Sequence, residues 1–323
     1  MFIIRSCIAN NLYCLLLYLL MHDEDTVDKT FFFFDDDIPD SIIKNFKHHT
    51  KFYTPTSAFM QMLFVLKLRY LANTKYRFIK QTEIYGQDNL LITSPLIGKQ
   101  KMNLIEDGLA NYTRLPKERK HKLFKRIIGG PLMAQETLGY STCVKRIYMT
   151  GMAPIPDTLK PKAILINLEE LWDKSSVEKK NSIISCFNLT NSIIDNFRKC
   201  NSVLITQPLS EDNVITEEEK TELYRQIIKD KNIAIKPHPR ERTNYKKCFP
   251  QAQILESHVP IELLSLIGVR FTDIYTIFST AAMQFAGNPR IHFMGTKVHP
   301  ALVERFGDVS YENGRIVSNA INN

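Results

Sequence analysis

Four short stretches of this 323-residue chain carry side chains that could do chemistry. In EDG, Glu106-Asp107-Gly108 follow the apolar run QKMNLI. Acids at the end of a strand put carboxylates at the carboxyl edge of a parallel sheet, where such folds bind ligands, and one of them could act as a general base. A solvated turn is the alternative, since Asp and Gly are common turn residues. In KPHPRER, Pro237 and Pro239 fix the backbone around His238 just after the apolar run NIAI. A histidine held there is suited to protonate or hydrogen-bond a leaving phosphate near neutral pH. Lys236, Arg240 and Arg242 either add positive potential or are solvated surface. In FSTAA, Ser279 and Thr280 lie between a strand and a helix, where free backbone N–H groups and hydroxyls make a phosphate seat or simply an N-cap. In VPIELL, Glu262 could accept hydrogen bonds from a ribose or a base, or be favourable charge at a helix start.

The elements that would position these groups alternate. MFIIRS predicts a strand, NNLYCLLLYLLMHD a helix, KTFFFF a strand, DDDIPD a turn and a second helix begins near Pro39. PTSAFMQMLFVLKLRYLANTKY has apolar residues at helical spacing, and QKMNLI is a further strand. After residue 200, SVLITQP is a strand, and TEEEKTELYRQIIKD a helix with Thr216 and Glu219 in capping-box spacing. NIAIK and QIL are strands, VPIELLSLI a helix, RFTDIYTIF a strand, STAAMQFAG a helix capped by Ser279, and RIHFMG a last strand. The stretch WDKSSVEKKNS is unpatterned and belongs to the tail of a first lobe or to a hinge. The expectation is an α/β chain of two Rossmann-like lobes, residues 1–198 and 199–323, with mostly parallel sheets and a cleft between them.

Composition is that of a soluble globular protein, with 44% hydrophobic and 24% charged residues. The six cysteines form no CxxC pair, so reduced thiols are expected. CLLLYLLM falls short of the roughly 20 apolar residues a membrane span takes. It also lacks a signal peptide's basic start, so a cytoplasmic location is expected. Net charge is +8, and the run RLPKERKHKLFKR, Arg114 to Arg126, holds seven Lys or Arg against one Glu. It reads as a solvated helix face, a patch for the inner face of an anionic membrane, or a nucleic-acid surface. No nucleic-acid-binding module accompanies it, which ranks that last reading low. Asp35 to Asp37 are read as a turn before Pro39 rather than a metal site.

The order EDG, then HP, then a Ser/Thr pair resembles the bacterial sialyltransferases. LIEDGLANY, IKPHPRE and IYTIFSTAA are similar to the lipooligosaccharide sialyltransferases of glycosyltransferase family 52, over roughly residues 100 to 295. Capsular polysialyltransferases carry a similar acid-acid-Gly and HP pair. The resemblance implies a GT-B fold, CMP-sialic acid as donor, a terminal galactose of a lipooligosaccharide or capsule glycan as acceptor, and inverting transfer with neither metal nor cofactor. It implies Asp107 as the base and His238 as the group that meets the departing CMP phosphate, with Ser279 and Thr280 holding that phosphate and Glu262 at the cytidine. Glu106, Gly108, Asn111, Lys236, Pro237, Pro239 and Arg240 would line the substrates. In some members the base is an aspartate in the loop after the first strand of the second lobe; here that loop is TQPLSED, with Leu209 near the expected position and Glu211 and Asp212 just beyond. Asp107 is preferred, and that pair is the alternative. Enzymes of this kind often pair, so a homodimer is a further expectation. A GT-B enzyme using another nucleotide sugar is the runner-up.

Overall fold

The computed structural model describes residues 2–112, 122–228, 232–255, 259–285, 288–312 and 315–319. They form two compact units, Met1–Asn188 and Leu189–Asn323. The division precedes the expected 198/199 boundary because helix Asn191–Arg198 goes with the second unit: Arg198 donates to the Ile267 carbonyl at 2.8 Å.

The first unit holds a seven-stranded sheet of β1 (Arg5–Ala9), β2 (Thr30–Phe34), β3 (His49–Lys51), β4 (Glu83–Gly86), β5 (Met102–Ile105), β6 (Val144–Met149) and β7 (Ala163–Leu165). The order is β3-β2-β1-β4-β5-β6-β7, and every pairing is parallel. The four phenylalanines of β2 show why such strands are continuously apolar. Phe32 and Phe34 turn to one face, with ring centroids 4.3 and 5.4 Å from Phe46, while Phe31 and Phe33 pack against Tyr76 on the other. Chain order reverses between β1 and β4, the switch point at which such sheets bind ligands beyond their carboxyl ends. Gly86 closes that junction at φ +126°, where a Cβ would sit 1.9 Å from the Ile8 carbonyl oxygen. WDKSSVEKKNS forms parts of two helices of this unit, Leu168–Asp173 and Val177–Cys186, rather than a hinge. Trp172, Ile183 and Cys186 are buried, so the apolar signal is present but thinned by the charged outer face.

The second unit holds β8 (Ser202–Ile205), β9 (Ile233–Lys236), β10 (Gln253–Ile254), β11 (Asp273–Thr276) and β12 (Arg290–Phe293), all parallel in the order β10-β9-β8-β11-β12. Its switch point lies between β8 and β11. Leu204, Ile235, Ile277 and Tyr224 are at its core, and helix Glu217–Ile227 starts with the expected Thr216/Glu219 capping box. Two expectations are corrected. STAAMQFAG gives only a 3-10 turn, Thr280–Gln284, and RIHFMG is not the last strand, because a hairpin of β13 (Asp308–Glu312) and β14 (Arg315–Asn319) follows. No disulfide joins the six cysteines, and among the described residues no helix is long and apolar enough to cross a membrane.

Candidate functional site

In the first unit, the loops after β1, β4 and β5 gather polar side chains at the carboxyl edge around the switch point. Asn11 caps helix Leu12–Met21 through its side-chain oxygen, which accepts from the Cys14 N–H at 2.7 Å. That cap aims the Asn11 amide N–H₂ at Asp107, to which it donates. From the loop after β4, Asn89 donates to the other Asp107 oxygen at 2.9 Å. Gln87 accepts from the Asn10 N–H at 3.0 Å, and its amide also bears on Asp107. The Asp107 N–H donates to the Asn111 side-chain oxygen. Burial pushes the Asp107 carboxyl above its ordinary range, and the nearby amides, with hydrogen bonds from Asn89 and Asn11, pull it back without cancelling the shift. Among the described residues its side-chain partners are amides, not cations. A half-buried carboxylate of raised basicity, held by neutral donors, is poised as a general base.

Glu106, one residue earlier, is fully buried and accepts from Tyr13, from Tyr112 at 2.6 Å, and from both the N–H and the hydroxyl of Thr150. Both its oxygens are taken, so it braces the strand end instead of lining a substrate surface as the motif suggested. Gly108 follows at φ +55°, turning the chain into the 3-10 segment Gly108–Tyr112. Asn111 is fully buried, and its amide N–H₂ has no hydrogen-bond partner among the described residues; the side-chain oxygen of Asn10 is likewise without one. Buried polar atoms left open beside a carboxylate are what a ligand hydroxyl would satisfy.

In the second unit, the HP loop is built on Glu241. Its buried carboxylate accepts from the His238 N–H at 2.6 Å, from Tyr245 at 2.5 Å, from Lys220 at 3.3 Å and from the Thr206 hydroxyl. The loop closes with Glu241 N–H donating to the His238 carbonyl at 3.0 Å. The Arg240 N–H donates to His238 Nδ1 at 3.2 Å, which makes Nδ1 an acceptor and leaves the proton of the neutral ring on Nε2. Burial, then the charges of Arg240 and Lys236, lowers the His238 pKa to about 4. Near neutral pH, His238 is therefore a fixed N–H donor and not an imidazolium.

The alternative bases are tied up nearby. Arg240 grips Asp212 with two hydrogen bonds, 2.7 and 3.1 Å, and Glu211 accepts from Lys220 at 3.0 Å and from the Arg242 N–H at 2.7 Å. Burial would raise the Glu211 carboxyl, but those bonds win and hold it below the ordinary range. Arg240 is thus a partner of Asp212, and the Lys236 ammonium is buried with a 3.4 Å contact to the Pro237 carbonyl.

The anion seat expected at FSTAA is largely used internally. The Phe278 N–H donates to Gln207, the Ser279 N–H to Thr276, and the Ala281 N–H weakly to the Ser279 hydroxyl. The Ser279 hydroxyl remains as the contribution of this motif, and the Thr280 side chain lies outside the described residues, as do residues 114–121 of the basic run. Glu262 is buried in the first turn of helix Ile261–Leu266.

The sequence profile of glycosyltransferase family 52 matches residues 20–302. The chain belongs to that family. This glycosyltransferase is 34% identical over 316 residues to an uncharacterized protein of Haemophilus influenzae strain Rd, covering 94% of this chain and 98% of that one. Its fold is of the GT-B type. It resembles the α/β-galactoside α-2,3-sialyltransferase of Photobacterium phosphoreum at a TM-score of 0.54 and 12% identity, covering 93% of this chain and 94% of that one. It also resembles the 2,6-sialyltransferase of Photobacterium sp. JT-ISH-224, solved with CMP and lactose, at 0.59 and 12%, covering 94% and 76%.

Sequence reasoning about this glycosyltransferase missed the residues that tune the two motifs. Asn10, Asn11, Gln87 and Asn89 are neutral amides from loops far apart in the chain and carry no charge signal. Glu241 and Lys220 were assigned no role; the usable signal is that Glu241 follows His238 by three residues, a spacing that lets a carboxylate reach back to a loop N–H.

Proposed function

We propose that this family 52 enzyme is a sialyltransferase that moves sialic acid from CMP-sialic acid to a hydroxyl of a terminal galactose on a bacterial surface glycan, with inversion and without a metal. The motifs support the reading, as do the activities named for the solved structures of the same fold, one of them bound to CMP and lactose. The observation that carries it is the Asp107 carboxylate, raised in basicity yet paired only with amides among the described residues. Asp107 takes the proton of the acceptor hydroxyl as its oxygen bonds to the anomeric carbon. The bond from that carbon to the phosphate oxygen breaks, and its electron pair leaves with CMP. His238 Nε2–H and the Ser279 hydroxyl donate to the phosphate as its charge grows, a role a metal ion fills in other transferases. The proton on Asp107 then passes to water. Asn111 and Asn10, each with an open polar atom, hold sugar hydroxyls, and Glu262 meets the cytidine.

The test is CMP release from CMP-sialic acid with lactose as acceptor, in the presence of EDTA. Wild type turns over, and Asp107→Asn and His238→Ala each fold and lose at least about a hundredfold in rate. Full activity of the aspartate variant moves the base to Glu211 or Asp212, and full activity of the histidine variant removes its role. Turnover of a different nucleotide sugar in place of CMP-sialic acid overturns the donor.

A further inference from the structure

Helix Ala58–Asn73 buries Val65, Leu68 and Ala72 against the first unit's core, which includes Phe33 and Tyr76. Its other face is apolar too. Phe59, Leu63, Leu66 and Tyr70 are 64%, 43%, 45% and 68% exposed, and their spacing puts them in one stripe along the helix. Ile127, also exposed, extends it from helix Lys122–Gly129, whose Ile127 and Ile128 carbonyls accept from Arg69. A continuous exposed apolar surface of this kind marks a place that something covers.

Charge decides between the candidates. From Ala58 to Thr82, the helix and the turn after it, the sequence has five Lys or Arg and no Asp or Glu. Lys67, Arg69 and Lys75 are exposed on or beside the helix, and Arg126 is exposed in helix Lys122–Gly129 next to Ile127. A second copy of the chain would meet this face through a two-fold axis and set cation against cation, with no acid in the segment to answer it. An anionic bilayer complements both features at once.

We propose that this face docks on an anionic lipid bilayer, the apolar stripe entering the boundary between headgroups and acyl chains while the flanking lysines and arginines meet lipid phosphates. The inference deepens the proposed surface-glycan reading by assigning the acceptor to a lipid-borne glycan, and it rests on that reading for its purpose, since docking would hold the enzyme where such an acceptor lies.

The test is vesicle flotation at low salt, with phosphatidylglycerol–phosphatidylethanolamine vesicles beside pure phosphatidylcholine ones. The wild type floats with the anionic vesicles and not with phosphatidylcholine. Leu63→Glu/Leu66→Glu weakens binding by at least about tenfold, through lost burial and added repulsion. Lys67→Glu/Lys75→Glu weakens it by about the same factor through charge alone, and this pair decides the matter if the leucine variant shows an altered circular dichroism spectrum. Wild type that fails to float, or charge variants that float undiminished, overturn the proposal. A leucine variant that turns from dimer to monomer by light scattering, in a protein that ignores vesicles, assigns the face to a second copy instead. CMP release with soluble lactose is read in parallel: vesicle binding without CMP release in the wild type discards sialyl transfer and leaves the docking face standing.

Discussion

Asp107 and Glu106 are adjacent acids with opposite surroundings, and that difference is what assigns them work. Glu106 is saturated by three hydroxyls and a backbone N–H, whereas Asp107 keeps a raised proton affinity among amides. As the proposed base, Asp107 must be deprotonated to act, so the rate is expected to be lost as pH falls through its pKa, with the acid limb of kcat/KM above the ordinary carboxylate value. The hydrogen bond from Asn89 lowers that pKa. Removing it in Asn89→Ala raises the pKa further, so the limb moves to higher pH; pH–rate profiles of the two proteins check this, and a limb that stays put or moves down excludes Asp107 as the base. Asp107 and His238 stood out as candidates because each lies two residues beyond the end of a buried strand. Their tuning did not: the Arg240 N–H that fixes the His238 tautomer is a backbone group, and its aim depends on a loop folded around Glu241.

At the scale of elements, the strands that were legible are those buried on both faces. SVLI and IAIK are buried at every position, and such parallel strands are written as unbroken apolar runs. β4, which begins with an exposed Glu83 and ends at Gly86, carries no such run, and β3 and β7 are three residues each. FSTAA misled because Ser279 does act as an N-cap, but the segment it caps is a five-residue 3-10 turn. β4 is nonetheless the element on which the first site depends, because Gln87 and Asn89 leave its end and Gly86 lets it lie beside β1. Gly86→Ala meets both a positive φ and a Cβ position 1.9 Å from the Ile8 oxygen, which only backbone movement relieves. The expected loss is at least about 3 kcal/mol. Denaturant unfolding of this variant beside the wild type measures it, and a loss within experimental error would mean that β4 does not need to approach β1 so closely.

For the whole molecule, each unit contains a histidine whose pKa is lowered to about 4, the buried His22 in the first and the half-buried His238 in the second. His22 is 7% exposed, stacks on Tyr18 at 4.3 Å and bonds the Tyr18 carbonyl through Nδ1 at 2.9 Å. Burial is the main cause of its shift, which makes the charged form costly in the folded state only. Between pH 6.5 and 4 the unfolded chain therefore binds more protons at these sites than the native one, and stability falls as the pH falls through that window. Raised carboxyls work the other way: Asp35 and Asp107 take up protons more readily when folded, so in the first unit they offset part of what His22 loses. Glu211 in the second unit has a lowered pKa and adds to the loss contributed by His238, though at lower pH. Replacing His22 by Gln keeps a donor for the Tyr18 carbonyl and removes the titration. Between pH 7 and pH 5 the variant should lose about 2 kcal/mol less stability than the wild type, from a pKa of 6.5 unfolded and about 4 folded. Urea unfolding of both proteins at the two pH values makes the comparison, and equal losses would show that His22 is already charged, or solvated, in the native state.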